Sequence, residues 1–196
     1  MIDKPAGLHT LPDGYDASLP HVRSVLEPEY GRLWIVHRLD RETSGVLVLA
    51  RTAEAHRSLN TQFEQHQVRK IYHALVEGSP DWQEITVDLP LRVNVGHRHR
   101  TAVDAHRGKP AVTHLRVLKR YDQTALVEAA PETGRTHQIR AHLTHLGYPI
   151  VGDELYGASP SPSGVCLHAH SLELTHPATG ERMKFTAENP NFCLPK

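Results

Sequence analysis

Nine mostly polar residues clamped between two short apolar runs limit the fold of this chain more than any other feature. Leu33-Trp34-Ile35-Val36 and Val46-Leu47-Val48-Leu49-Ala50 are too short for helices and too apolar for the surface, so both are predicted as buried strands. The segment between them, His37-Arg38-Leu39-Asp40-Arg41-Glu42-Thr43-Ser44-Gly45, is then a loop on a rigid frame, where functional groups often sit. Upstream, Pro5, Gly7, Pro12, Gly14, Pro20, Pro28 and Gly31 predict irregular structure over residues 5–31.

The rest of the chain mixes two periods. Residues 52–66 read as a helix, with Ala55, Leu59 and Phe63 on one side and Glu54 in the first turn. Residues 69–77 alternate as a strand, with Tyr72, Ala74 and Val76 on one face and Ile71 and Leu75 on the other. Hairpins are predicted over 112–119 and 123–129, around Tyr121-Asp122, and over 165–174 and 181–186, around Ala178-Thr179-Gly180. A second helix is predicted over 135–146 from Ile139, Leu143 and Leu146, closed by Gly147 as a left-handed cap and by Pro149. Strands outnumber helices and rarely alternate with them, so the class is α+β with a mixed, largely antiparallel sheet and flanking helices. A length of 196 residues favours a single domain, 1–196.

In that second helix Arg135 falls in phase with the apolar stripe, while His137 and Arg140 fall on the solvent side. A cation in the core phase requires an anion, because an unpaired buried charge is very costly. Two readings stay open: Arg135 pairs with a buried carboxylate, or it lies at a frayed helix start. Asp40 is the carboxylate of interest, flanked by Arg38 and Arg41, which favour its ionised form as nucleophile or base. Glu42 offers a second carboxylate of the kind hydrolases pair.

Composition excludes more than it proposes. Lys plus Arg and Asp plus Glu both number 22, so net charge lends no support to nucleic-acid binding, which must rest on local patches. Two cysteines, Cys166 and Cys193, indicate no disulfide framework and a reducing compartment. Without a signal segment, or an apolar run near the ~20 residues that span a bilayer, the expected location is cytoplasmic. Sixteen histidines suggest metal, yet no grouping with ligand spacing occurs, and in His97-Arg98-His99 the arginine would repel a cation.

The segment 37–45 closely resembles the signature loop of RluA-type pseudouridine synthases, and further family segments follow in order. They are Lys4-Pro5-Ala6-Gly7-Leu8, Arg69-Lys70-Ile71-Tyr72-His73-Ala74-Leu75-Val76, Gly108-Lys109-Pro110-Ala111-Val112-Thr113, Thr133-Gly134-Arg135-Thr136-His137-Gln138-Ile139-Arg140-Ala141-His142, Pro149-Ile150-Val151-Gly152-Asp153 and Leu167-His168-Ala169. The resemblance implies one catalytic domain with a central RNA-binding cleft. Asp40 matches the family's essential aspartate, Tyr72 its base-packing tyrosine, and Arg135 the arginine that pairs with the aspartate. Arg38 matches a residue that fills the space of a flipped nucleotide in some members, and Leu167 an apolar pocket residue. His37 and Thr43, in the same loop, are taken as substrate-binding. Relative to the family, the chain is expected to be truncated before its Lys-Pro element and to carry no accessory RNA-binding domain.

The reaction so implied breaks the bond from ribose to base nitrogen and rejoins the base through carbon, so no cofactor or metal is expected. The partner implied is structured RNA, ribosomal or transfer, bound by a monomer without a membrane or an obligate protein partner. A flipped base costs about a few kcal/mol of unstacking and unpairing. Arg92, Arg98, Arg100, Arg107 and Lys109, against the single acid Asp104, form a basic segment suited to offset it through phosphate contacts. The competing readings are a silent RNA-binding module of the same fold and a hydrolase using Asp40 with Glu42.

Overall fold

A computed structural model describes residues 1–96, 100–189 and 192–193. In chain order the elements are β1 (Ile2–Lys4), α1 (Val22–Tyr30), β2 (Trp34–Ile35), β3 (Ser44–Leu47), β4 (Leu49–Ala50), α2 (Ala53–Glu64), β5 (Arg69–Glu77), β6 (Glu84–Asp88), β7 (Leu91–Val95), β8 (Arg100–Val103), β9 (Val112–Arg120), β10 (Thr124–Pro131), α3 (Gln138–His145), β11 (Leu167–Thr175) and β12 (Arg182–Thr186). The chain divides into two compact units, residues 1–70 with 169–188, and residues 71–168 with 189–196. The boundaries fall inside β5 and β11.

In the first unit the strand order is β1, β3, β11, β12. Val46, Val48, Leu59, Val68, Leu172 and Leu174 form its core. Helix α2 starts at Thr52, whose hydroxyl accepts from the Ala55 N–H at 3.2 Å, capping one of the donors a helix start leaves open. Its buried Gln62 exchanges two 2.8 Å hydrogen bonds with the backbone of Thr175, tying the helix to the end of β11. Gly45 must be glycine: its φ is +110°, and a Cβ there would stand 2.3 Å from the carbonyl oxygen of Ala169. The breaker-rich stretch hides a helix that the sequence reading lacked. Helix α1 is capped by a reciprocal pair, His21 and Ser24, and runs only two residues past Pro28.

In the second unit the order is β5, β10, β9, β6, antiparallel throughout, with β7 and β8 as a separate hairpin. Ala74, Val76, Leu115, Val127, Leu143 and Ile150 are among its core residues. Both predicted hairpins and the strand 69–77 are present. So is the helix C-terminus, where Gly147 takes φ +89° and the Tyr148 N–H reaches back to the Leu143 carbonyl at 2.9 Å. The helix start differs from expectation, for α3 begins at Gln138, after His137 at φ +52°. Cys166 and Cys193 form a disulfide with Cα atoms 5.9 Å apart, which overturns the expectation of unpaired thiols. A pair 27 residues apart carries no local signal of its partnership.

Candidate active site

The loop bearing Asp40 is pinned on both sides of that residue. Before it, Leu39 is buried, and its backbone exchanges two hydrogen bonds with the buried Thr10 hydroxyl, 2.8 Å to the carbonyl and 3.2 Å from the N–H. After it, the Arg41 carbonyl accepts from the Gly7 N–H at 2.7 Å and from Lys4 Nζ at 3.3 Å. The Thr43 N–H closes a turn onto the Asp40 carbonyl at 3.1 Å, with Arg41 and Glu42 at its tip. Glu42 faces Arg41 at 3.6 Å. Asp40 itself is half-buried, so a fixed backbone presents a partly accessible carboxylate.

Lys4 is the anchor that the sequence reading left without a role. It is wholly buried, and its ammonium also donates to the Pro5 and Leu8 carbonyls at 2.9 and 2.8 Å. Burial brings it down to about 8 from 10.5, opposed by the carboxylates of Glu42 and Asp40. Three carbonyl acceptors match the three protons of a charged lysine.

His37, Arg38 and Thr43 share this loop and differ in setting. Arg38 is exposed. The His37 ring stacks on Phe63 at 4.7 Å between centroids, and its Nε2 accepts from the Val48 N–H at 3.0 Å. Burial, helped by the charge of Lys70, lowers its imidazole to about 3, so the ring is neutral. Thr43 is 2% exposed. These settings suit His37 and Thr43 to holding the loop, and Arg38 to meeting something outside it.

The other three candidates belong to the second unit. Tyr72 lies on β5 opposite Ala129, half-buried and packed against the core. Leu167 opens β11 and is 4% exposed. Arg135 precedes α3, so its expected place on the helical stripe is corrected: the left-handed residue His137 breaks the phase. Its Nε donates to the Pro110 carbonyl at 3.0 Å, and its terminal nitrogens have no hydrogen-bond partner among the described residues. The buried arginine is instead Arg140, expected at the surface. It is 3% exposed and grips Asp153, 1% exposed, through two bonds of 2.7 and 2.8 Å. Arg140 also lies over the Tyr156 ring at 5.1 Å. Burial raises the phenol of Tyr156. Its oxygen accepts from the Thr101 N–H at 2.9 Å and meets His137 Nδ1 at 3.1 Å.

In the basic segment, Arg92 pairs with Asp104 at 3.3 Å and Arg100 and Arg107 are exposed. His97, Arg98 and His99 lie outside the described residues. Among the described residues no three His, Cys, Asp or Glu side chains group as metal ligands. No helix there is long and apolar enough to cross a membrane.

Comparison with known proteins adds to this geometry. A family model described as RNA pseudouridylate synthase matches residues 1–145. The ribosomal large subunit pseudouridine synthase D of Nitrosomonas europaea is 41% identical over 208 residues, covering 97% of this chain and 59% of that protein. The dual-specificity RNA pseudouridine synthase RluA of Escherichia coli K12 is 41% identical over 192 residues, covering 95% and 87%. Among solved structures, human RNA pseudouridylate synthase domain containing 1 superposes with a TM-score of 0.80 at 28% identity, covering 96% of this chain and 78% of that one. It supports the mixed, mostly antiparallel fold. The chain spans about three fifths of the length of several curated relatives it matches.

Proposed function

Since the chain belongs to the RNA pseudouridylate synthase family, we propose that it isomerises uridines in structured RNA to pseudouridine, with Asp40 as the working carboxylate. The observation that carries this reading is the pinning of Asp40 from both flanks. An isomerase that detaches and rejoins a base needs one fixed anion beside the ribose, and a loop locked before substrate arrives need not be ordered during the reaction. Tyr72 is assigned to packing against the target base, Arg135 to a cationic role in the catalytic machinery, and Leu167 to the apolar pocket wall. Arg38 is exposed and planar at its tip, and it suits the space left by a flipped nucleotide. His37 and Thr43 act as supports of the loop instead of touching RNA.

The substrate class proposed is large-subunit ribosomal RNA, the kind named in the Nitrosomonas europaea relative, or transfer RNA, the other kind that the family resemblance implies. The test incubates the purified chain with ribosomal and transfer RNA tritiated at carbon 5 of uridine. Tritium release, with pseudouridine in the digested RNA, is expected. Free uracil without pseudouridine would point to a hydrolase, and binding without turnover to a silent module; either result would refute the proposal.

A further inference from the structure

The segment that presents Arg135 is held chiefly by one buried side chain. Gln138, the first residue of α3, is 4% exposed and uses every hydrogen-bonding position of its carboxamide. Oε1 accepts from the Thr133 hydroxyl at 2.7 Å and from the Arg135 N–H at 3.0 Å. Nε2 donates to the Val112 carbonyl at 2.9 Å and to Thr113 Oγ1 at 2.9 Å. The side chain therefore ties the 133–135 turn on one side to β9 on the other. Between these ties, Gly134 is exposed and touches nothing that a Cβ would meet.

The orientation of this amide is forced. Turned over, it would set NH2 against the Arg135 N–H and oxygen against the Val112 carbonyl, two repulsive contacts. The network beyond it agrees. His142, fully buried and kept neutral chiefly by that burial, meets the Leu89 carbonyl through Nε2 at 3.0 Å. A carbonyl only accepts, so Nε2 carries the proton and Nδ1 accepts from the Thr113 hydroxyl at 2.9 Å. The Thr113 oxygen is then left to accept from Gln138. Donation runs in one direction from Gln138 to Leu89, and the far end supports the near one.

We propose that Gln138 is the positioning residue for Arg135, fixing the turn so that the guanidinium, already held through Nε on Pro110, keeps one aim. The proposal rests on the reading of Arg135 as part of the working site. A merely structural Gln138 would fasten α3 to β9 without reference to Arg135, and a double-mutant cycle separates the two. Gln138→Met keeps the volume and removes all four bonds. It is expected to lower the single-turnover rate about 10- to 100-fold with RNA affinity changed less than about threefold, since an interaction serving the reacting state shows in rate. In an Arg135→Ala background the same change is expected to cost less than about twofold. In RNA-free protein, NMR hydrogen exchange at the Arg135 amide is expected to speed up about tenfold or more, while Ala141 to Leu143 keep their protection. If Gln138→Met does not fold, Thr133→Val removes the bond to Gln138 together with the 3.2 Å bond that the Thr133 hydroxyl accepts from the Val112 N–H, and it is expected to show the same dependence on Arg135. An equal fold-loss in both backgrounds, or unchanged exchange at Arg135, would overturn the proposal. A wild-type chain that makes no pseudouridine would refute the functional reading instead, and the exchange comparison would still judge the tie.

Discussion

Removing one partner of the Arg140–Asp153 pair should be among the most damaging single changes in the second unit. Both side chains are nearly sealed from water, and the guanidinium meets the carboxylate through two bonds of 2.7 and 2.8 Å. Asp153→Ala takes from the buried guanidinium the carboxylate that meets it through both of these bonds. Stranding one member of a buried pair costs about 3–5 kcal/mol. For a chain of this size each kcal/mol moves the melting point by roughly 2–4 °C, so the expected fall is about 6–20 °C. Arg140→Met with Asp153→Leu removes both charges and should recover most of that loss, because the desolvation cost of the pair goes with it. Thermal unfolding by circular dichroism, on the wild type, Asp153→Ala, Arg140→Met, Asp153→Leu and the double, reads the whole cycle. A melting point for Asp153→Ala within about 2 °C of wild type would refute the reasoning, as would a double variant no better than the worse single.

Three further outcomes follow from the same structure. The His37 imidazole is depressed to about 3 in the fold against 6.5 unfolded, so its contribution is whole above about 6.5 and drains away as pH falls towards 3. At pH 5 that is about 2 kcal/mol, and the acid slope of the melting point should flatten in His37→Gln; an unchanged slope would discount the buried ring. Tyr72→Leu should lose far more product formation than Tyr72→Phe if the ring supports the base, whereas equal losses would give the hydroxyl the principal role. Gly45→Ala forces a Cβ to 2.3 Å from the Ala169 carbonyl oxygen in a left-handed conformation, and it should cost at least about 2 kcal/mol by chemical denaturation; a wild-type midpoint would contradict the close approach of β3 to β11.

Local signals carried much of the fold. Residues 69–77, both hairpins and the Gly147 cap were legible because period-two alternation and turn chemistry are written in consecutive residues. Helix α1 was not, because Pro28 and the surrounding breakers mask it and its cap is a histidine. Strands β6 to β8 are only four or five residues long, so the alternation in Glu84–Asp88 and Leu91–Val95 is too brief to stand out from its surroundings. Arg140 was placed wrongly for a physical reason: the stripe of Ile139 and Leu143 is real, yet residues 138 to 143 are all buried, so over that stretch the helix has no solvent face on which to put a charge. The disulfide depends on a meeting across 27 residues that no local pattern announces. At the candidate site the loop and its aspartate were visible in sequence. Its anchors, Lys4 and Thr10, were not, since they reach the loop across some thirty residues of chain.

The central claim is that Asp40 performs the chemistry and is not needed to fold the loop that carries it. Its neighbours, Leu39 and Arg41, are held through their backbones by Thr10, Gly7 and Lys4, in hydrogen bonds none of which is made to the Asp40 carboxylate. Asp40→Asn keeps the side chain's size and removes its charge. The direct measurement is tritium release from RNA labelled at carbon 5 of uridine, made on Asp40→Asn and wild type side by side with their melting curves. No detectable release is expected from the variant, with a melting point within a few degrees of wild type, about the scatter of a surface change. Turnover retained by the variant would contradict it.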